Sequence, residues 1–267
     1  MLTIAEYVKP KSCADAYSLL TTAQNAAVVG GGFFLRLASR KIGTAIDLSG
    51  AGLDFIRETD REIEIGAMTT FSQLRKAEAL ARHWDGIIPA TVAHLPGTQI
   101  RNMVSVGGTV YGRYGFSELL TSLMVLNCRV ALHRSGTMSL AEFLTKGKIV
   151  DIVEKILLDK EALQASYQMF RHASASLPIL TVAVSKAAHN CDAPYKIAVG
   201  GRPGVAALAT EAMAYLNDIP VDAANCAKAG EIAAAELSFG NDRRASGEYR
   251  RALCKTLVKR ALLEVQQ

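Results

Sequence analysis

Helices and strands mixed in two domains, meeting near residue 162, are what this sequence predicts. Three observations lead there. Short apolar runs closed by glycine recur through the first 160 residues, the mark of strands ending in turns. A second group of strand-like runs begins near residue 169. From about residue 205 the chain becomes alanine-rich at helical spacing. The length of 267 residues allows one large or two ordinary domains with a true buried core. Half of the residues are hydrophobic and 21% charged, a globular rather than a disordered composition.

The elements follow in order. Residues 13–25 read as a helix with Ala14, Leu19 and Leu20 on one side. Residues 26–29 are a short apolar strand that stops at Gly30-Gly31-Gly32. Residues 33–37 resume as helix or strand, and 44–48 read as a strand. Residues 62–65 alternate charge with isoleucine, as a half-buried strand does, and Gly66 closes it. Residues 71–82 and 84–95 read as helices, the second broken by Pro96-Gly97. A second glycine turn is expected at residues 105–109. Residues 117–126 are apolar at helical spacing, and 129–133 and 149–158 read as strands. In the second domain, 169–185 and 195–199 should form a small sheet. Helices are expected over 205–216, 222–237 and 247–265. In the last, Tyr249, Leu253, Leu257, Ala261 and Leu262 make one apolar stripe, and Ser246 stands at the N-cap.

Charge and composition exclude several functions. The net charge is +5, from 30 basic and 25 acidic residues. The basic pairs Arg243-Arg244, Arg250-Arg251 and Lys259-Arg260 read as solvated helix faces, and no nucleic-acid partner is expected. Cys13, Cys128, Cys191, Cys226 and Cys254 are odd in number and far apart in sequence. They form no C-x-x-C and no Cys/His cluster, so no metal site is expected. His83, His94, His133, His172 and His189 form no H-E-x-x-H, and each reads as a surface or internally satisfied histidine. No G-x-S-x-G elbow occurs, and no catalytic acid, base or nucleophile is assigned. The first residues are polar and lack a signal-peptide core, and the apolar run 177–184 is too short to span a bilayer. A cytoplasmic location with reduced thiols is the expectation.

Two glycine clusters carry the chemistry: Val28-Val29-Gly30-Gly31-Gly32-Phe33-Phe34 and Ser105-Val106-Gly107-Gly108-Thr109. Glycine permits positive φ and puts no Cβ in a ligand's way. Successive amides in such a turn form an anion-binding concavity. Two turns gripping one pyrophosphate from opposite sides would account for both and point to a dinucleotide. Tight turns without a ligand are the plain alternative. The P-loop pattern G-x-x-x-x-G-K-[ST] and the Rossmann G-x-G-x-x-G are both absent.

In these motifs the chain resembles the FAD subunit of the xanthine dehydrogenase and carbon monoxide dehydrogenase family of molybdenum hydroxylases, nearly end to end. Tyr7-Val8-Lys9-Pro10 and the helix after it resemble the family's opening. Val29-Gly30-Gly31-Gly32 resembles its first flavin loop, and Ile46-Asp47-Leu48 and Ile65-Gly66-Ala67-Met68-Thr69-Thr70 follow in order. The most specific segment is Gln99-Ile100-Arg101-Asn102-Met103-Val104-Ser105-Val106-Gly107-Gly108-Thr109, which resembles I-R-N-x-x-[ST]-[IV]-G-G-N. Ile156-Leu157-Leu158 and Phe170-Arg171 resemble the flavin-ring region, and Ser246-Gly247-Glu248-Tyr249-Arg250-Arg251 the S-x-x-Y-R-R start of the last helix.

The resemblance implies an α+β fold: a two-subdomain FAD-binding fold of the vanillyl-alcohol oxidase type over residues 1–162, then a small antiparallel sheet packed on helices over 163–267. It implies FAD in this chain. The [2Fe-2S] clusters would sit in a small partner subunit and molybdopterin in a large one, with NAD or a quinone as external acceptor. By position, amides of Ala27, Val28, Val29, Gly30, Gly31, Gly32, Phe33 and Phe34 would contact the pyrophosphate and ribityl chain. Ser105, Val106, Gly107, Gly108 and Thr109 would contact the phosphates from the other side. Glu118 stands where the family binds the adenosine ribose with aspartate. Leu95 and Leu157 fall at apolar positions against the cofactor, and Arg171 near the flavin ring, where a cation would raise its potential. Phe33, Thr109 and Glu118 depart from the usual residues. A bulky Phe33 aimed at the phosphates would not be tolerated, so its ring should turn away. A flavin-free scaffold subunit and a stand-alone FAD oxidoreductase are the alternative readings.

Overall fold

The computed structural model describes residues 1–147, 149–187, 194–217 and 219–267. Cys191 and His189 lie outside the described residues. In chain order the elements are β1 (Thr3–Val8), α1 (Cys13–Thr22), β2 (Ala27–Val29), β3 (Lys41–Asp47), β4 (Ile56–Glu58), β5 (Glu62–Gly66), α2 (Phe71–Lys76), α3 (Glu78–Ala81), α4 (Ile87–Ala93), α5 (Thr98–Met103), α6 (Val106–Gly112) and α7 (Glu118–Met124). Then come β6 (Cys128–Leu132), β7 (Gly136–Ser139), α8 (Leu140–Thr145), β8 (Val153–Asp159), β9 (Leu163–Phe170), β10 (Leu180–Ala187), β11 (Tyr195–Gly200), β12 (Ala207–Leu208), α9 (Thr210–Asn217), α10 (Ala223–Glu236) and α11 (Gly247–Glu264).

These elements form two compact units, each drawn from several stretches of chain. The first comprises Met1–Lys76, Gly97–Gly112 and Cys128–Asp159. It holds a parallel sheet in the order β1-β3-β2 and an antiparallel sheet in the order β4-β5-β8-β6-β7. In the parallel sheet α1 is the crossover between β1 and β2. The two strands flank β3 on either side, and parallel strands need such a crossover because a hairpin joins only antiparallel ones. In the antiparallel sheet β8 is central: Ile156 stands opposite Ile65 on one side and Val130 on the other. All three are at most 1% exposed, so this strand anchors the unit's core.

The second unit comprises Ala77–Pro96, Arg113–Asn127 and Lys160–Gln267. Its antiparallel sheet runs β12-β11-β10-β9. Strand β10 divides by alternation. Leu180, Val182 and Val184 join a core with Cys254, Leu257, Val258, Ala261 and Leu262 of α11. Thr181, Ala183 and Ser185 alternate with them on the side of α7, where the Thr181 and Thr121 hydroxyls lie 2.8 Å apart. Ser185 donates to the Val125 carbonyl at 2.7 Å, so the buried hydroxyls are satisfied.

Several boundaries differ from the sequence reading, each for a local reason. The expected helix over 84–95 starts only at Ile87, because Trp84, Asp85 and Gly86 all take positive φ. The strand expected from residue 149 begins at Val153. Before it, Asp151 is occupied in accepting from the amides of Arg134, Ser135 and Ile152. The helix expected from residue 205 begins at Thr210, since Ala207–Leu208 pairs with β11. The stripe assigned to the last helix is rotated. Tyr249 is 42% exposed, and Arg250 takes the inward position with no exposed surface.

Candidate cofactor site

In the first unit the two glycine segments meet backbone to backbone. Strand β2 ends at Val29, whose partner on β3 is Asp47. The chain then turns through Gly31 and Gly32, both at φ +71°. A Cβ on Gly31 would lie 1.7 Å from the Met103 carbonyl oxygen. One on Gly108 would lie 3.0 Å from the Gly30 carbonyl oxygen, and one on either residue 2.9 Å from Ser105 Oγ. No side chain fits between the segments, which is why glycine occupies both.

The amides on the two sides are used differently. In the first segment, among the described residues, the N–H groups of Gly31, Gly32 and Phe33 donate to no protein group. In the second they are committed to the scaffold. Val106 donates to Thr69 O at 2.9 Å, Gly107 to Ala67 O at 2.7 Å and Thr109 to Ser105 O at 3.0 Å. Gly108 donates to Ser105 Oγ at 3.2 Å. The sequence reading expected a turn here. Instead Val106–Gly112 is a short helix, and neither Gly107 nor Gly108 takes positive φ. Glycine is required there by approach, since a Cβ on Gly107 would lie 2.6 Å from that of Ala67. The first segment is therefore the donor side and the second its close-packed floor.

Phe33, the bulky departure in the first loop, packs locally. Its ring meets Phe34 edge-on at 5.0 Å, and the Arg36 guanidinium lies 4.7 Å from its centre. Leu157 is 7% exposed on β8, opposite Glu64 and Arg129.

The second unit brings Glu118 and Arg171 into one cluster. Glu118 opens α7, whose N-cap Ser117 accepts from the Leu120 amide. Its carboxyl is 6% exposed, and burial pushes its pKa up to about 7 against the opposing charge of Arg171. Arg171 follows β9 and donates to the His94 carbonyl at 2.8 Å. Leu95, the next residue, is half-buried. Tyr167 lies four residues before Arg171, its ring 5.8 Å from that of His94. Its hydroxyl is buried with no hydrogen-bond partner. Burial, then the Glu118 charge, holds that phenol well above its usual pKa. Burial, then Arg171, lowers His94. Sequence reasoning missed Tyr167 and His94 here. The available signal was the strand period, which places residues 167, 169 and 171 on one side.

Each unit by itself offers groups of the kind that FAD requires. Uncommitted adjacent amides beside a glycine floor suit a phosphate. A buried carboxyl and an orphaned phenol suit hydroxyl groups of a ligand, because unpaired buried polar atoms are costly. Residues 3–160 match the family model for the FAD binding domain in molybdopterin dehydrogenase, and residues 165–265 that for the CO dehydrogenase flavoprotein C-terminal domain. The nicotine 6-hydroxylase medium subunit of Paenarthrobacter nicotinovorans is 25% identical, covering 98% of each chain. Among solved structures, quinoline 2-oxidoreductase from Pseudomonas putida 86 superposes with a TM-score of 0.87 at 20% identity, over 98% of this chain and 96% of that one. The carbon monoxide dehydrogenase of Hydrogenophaga pseudoflava, in a form lacking the Mo-pyranopterin moiety, gives 0.90 at 20% identity over 100% and 98%. Those two likenesses establish the fold. The first family model alone spans more than half of the sequence, so this chain belongs to the FAD-binding family of molybdopterin dehydrogenases, as the FAD-binding medium subunit of a molybdenum hydroxylase.

Proposed function

We propose that this chain is the electron outlet of its complex, taking electrons from [2Fe-2S] clusters of a small partner subunit and delivering them to an external acceptor such as NAD or a quinone. Molybdopterin would reside in a large partner subunit. FAD, when bound, supplies the step between one-electron clusters and a two-electron acceptor. The residues of this chain bind and tune it. The amides of Gly31, Gly32 and Phe33 hold the pyrophosphate, with Gly30, Gly107 and Gly108 keeping the floor low enough for the approach. Glu118 accepts from ribose hydroxyls, and Leu95 and Leu157 offer apolar contact. Arg171 places a positive charge beside the ring and favours its reduction. The observation that carries the reading is the run of three uncommitted amides against a glycine floor.

The test is to purify the complex through a tag on this chain, reduce it without oxygen, and add NAD⁺ or a short-chain quinone. Return of the flavin absorbance with one of the two supports the outlet role and names the acceptor. A flavin that neither reoxidises, in a complex whose clusters remain reducible, overturns it.

A further inference from the structure

A third cluster, in the first unit, lies outside the glycine segments. Cys13 is the first residue of α1, His133 follows β6 directly, and Glu154 is on β8. One ligand atom from each lies within 4.8 Å of the other two, and all three residues are half-buried. His133 Nδ1 and a Glu154 carboxylate oxygen are 2.7 Å apart. More than a hundred residues separate Cys13 from the other two, so no spacing in the sequence could reveal the set.

We propose that Cys13, His133 and Glu154 form a zinc site with three protein ligands and an open fourth position. Thiolate, imidazole and carboxylate together match the donor types of Zn²⁺. With Zn–S near 2.3 Å and Zn–N near 2.0 Å, tetrahedral geometry puts ligand atoms roughly 3.5 Å apart, between the 2.7 Å of the His133–Glu154 pair and the 4.8 Å that bounds the set. The supports are already in place. The His133 amide donates to Ile152 O at 2.9 Å, and Glu154 O accepts from Ala67 at 2.9 Å, so both backbones are tied to the sheet. Tyr17, one turn along α1 from Cys13, lies against the His133 ring at 5.8 Å, and Arg134 lies over Tyr17. Half-burial keeps the three ligands in reach of solvent, which would supply the fourth ligand. The cation would clip the start of α1 to strand β8.

This site stands whether or not the flavin reading does, and its test needs no turnover. The reduced full-length chain is titrated with Zn²⁺ against a chromogenic chelator, and separately with Co²⁺ as a spectroscopic probe. One Zn²⁺ per chain is expected, with a sulfur-to-cobalt charge-transfer band in the Co²⁺ form. Removing outer-shell partners of a metal costs about 10–100-fold in affinity, so Cys13→Ser and His133→Ala should each cost roughly 100-fold or more. Cys13→Ser should also abolish the band. Serine is nearly the size of cysteine, so this variant decides the matter even where His133→Ala fails to fold. No stoichiometric binding, or binding and a charge-transfer band that Cys13→Ser leaves unchanged, overturns the proposal.

Discussion

Gly31 and Gly32 have the same φ of +71°, yet a methyl group meets different surroundings at each. At Gly32 the nearest atom is a Val29 methyl at 3.6 Å, so only the backbone preference opposes alanine. That preference is about 1–2 kcal/mol, or roughly 5–30-fold in FAD affinity if it falls on the bound state. At Gly31 the added carbon would sit 1.7 Å from Met103 O and must push the two segments apart. Gly31→Ala is therefore expected to lose FAD more completely than Gly32→Ala, measured as flavin released per chain. Equal losses would contradict the floor geometry. Glu118 makes a different prediction. Its folded pKa, near 7, stands above the ordinary 4.5, so the folded state holds the proton more tightly than the unfolded one. The stabilisation is full below about pH 4.5 and is lost as pH rises through about 7, at most about 3 kcal/mol in all. In the flavin-free chain, Glu118→Gln should flatten this loss in urea unfolding at stepped pH. Parallel profiles for the two proteins would show that Glu118 does not titrate there.

At the scale of elements, α11 shows what its opening motif does. Ser246 accepts from the Tyr249 amide as the N-cap, and Ser246→Ala should cost about 1 kcal/mol. Arg250 is fully buried and donates to Ile179 O at 3.1 Å, Gly240 O at 3.0 Å and Asp242 Oδ1 at 2.6 Å. Burial works to raise the Asp242 pKa, but hydrogen bonds from Arg244 and Arg250 hold it well below the carboxylate range. Arg250→Met leaves Asp242 with Arg244 but takes the buried donor from the Ile179 and Gly240 carbonyls, and a loss of about 1–3 kcal/mol is expected in chemical denaturation. Arg250→Lys should not restore it, because an ammonium cannot reproduce the planar fork. The cap was legible in the sequence because it is local: a hydroxyl before a helical run. The role of Arg250 was not, since its three acceptors come from two other loops and a charged residue reads as surface. The same divide runs through the rest. Strand β2 and its glycines were legible because an apolar run stops on them. Helix α6 was hidden because glycine, which disfavours helix, is imposed there by the neighbouring backbone of Ala67 and Gly30. Strand β1 is apolar at Ile4, Ala5, Tyr7 and Val8 without alternation, and almost none of it is buried, so no half-buried pattern marks it.

The whole molecule divides into two units whose chain stretches interleave, so sequence position and spatial membership part company. Residues 77–96 and 113–127 belong with the C-terminal sheet, although they lie within the stretch matched by the first family model. The glycine segments and Leu157 lie in the first unit, and Leu95, Glu118 and Arg171 in the second. Among the described residues no helix is long and apolar enough to cross a membrane. The central claim is that this chain holds FAD on uncommitted amides of its first glycine segment. The most direct measurement is the visible spectrum of the complex purified through this chain, followed by the fluorescence of flavin released on heating. The account predicts flavin bands and close to one FAD per copy of this chain. A colourless complex that takes up no added FAD would contradict it and leave the glycine segments without a ligand.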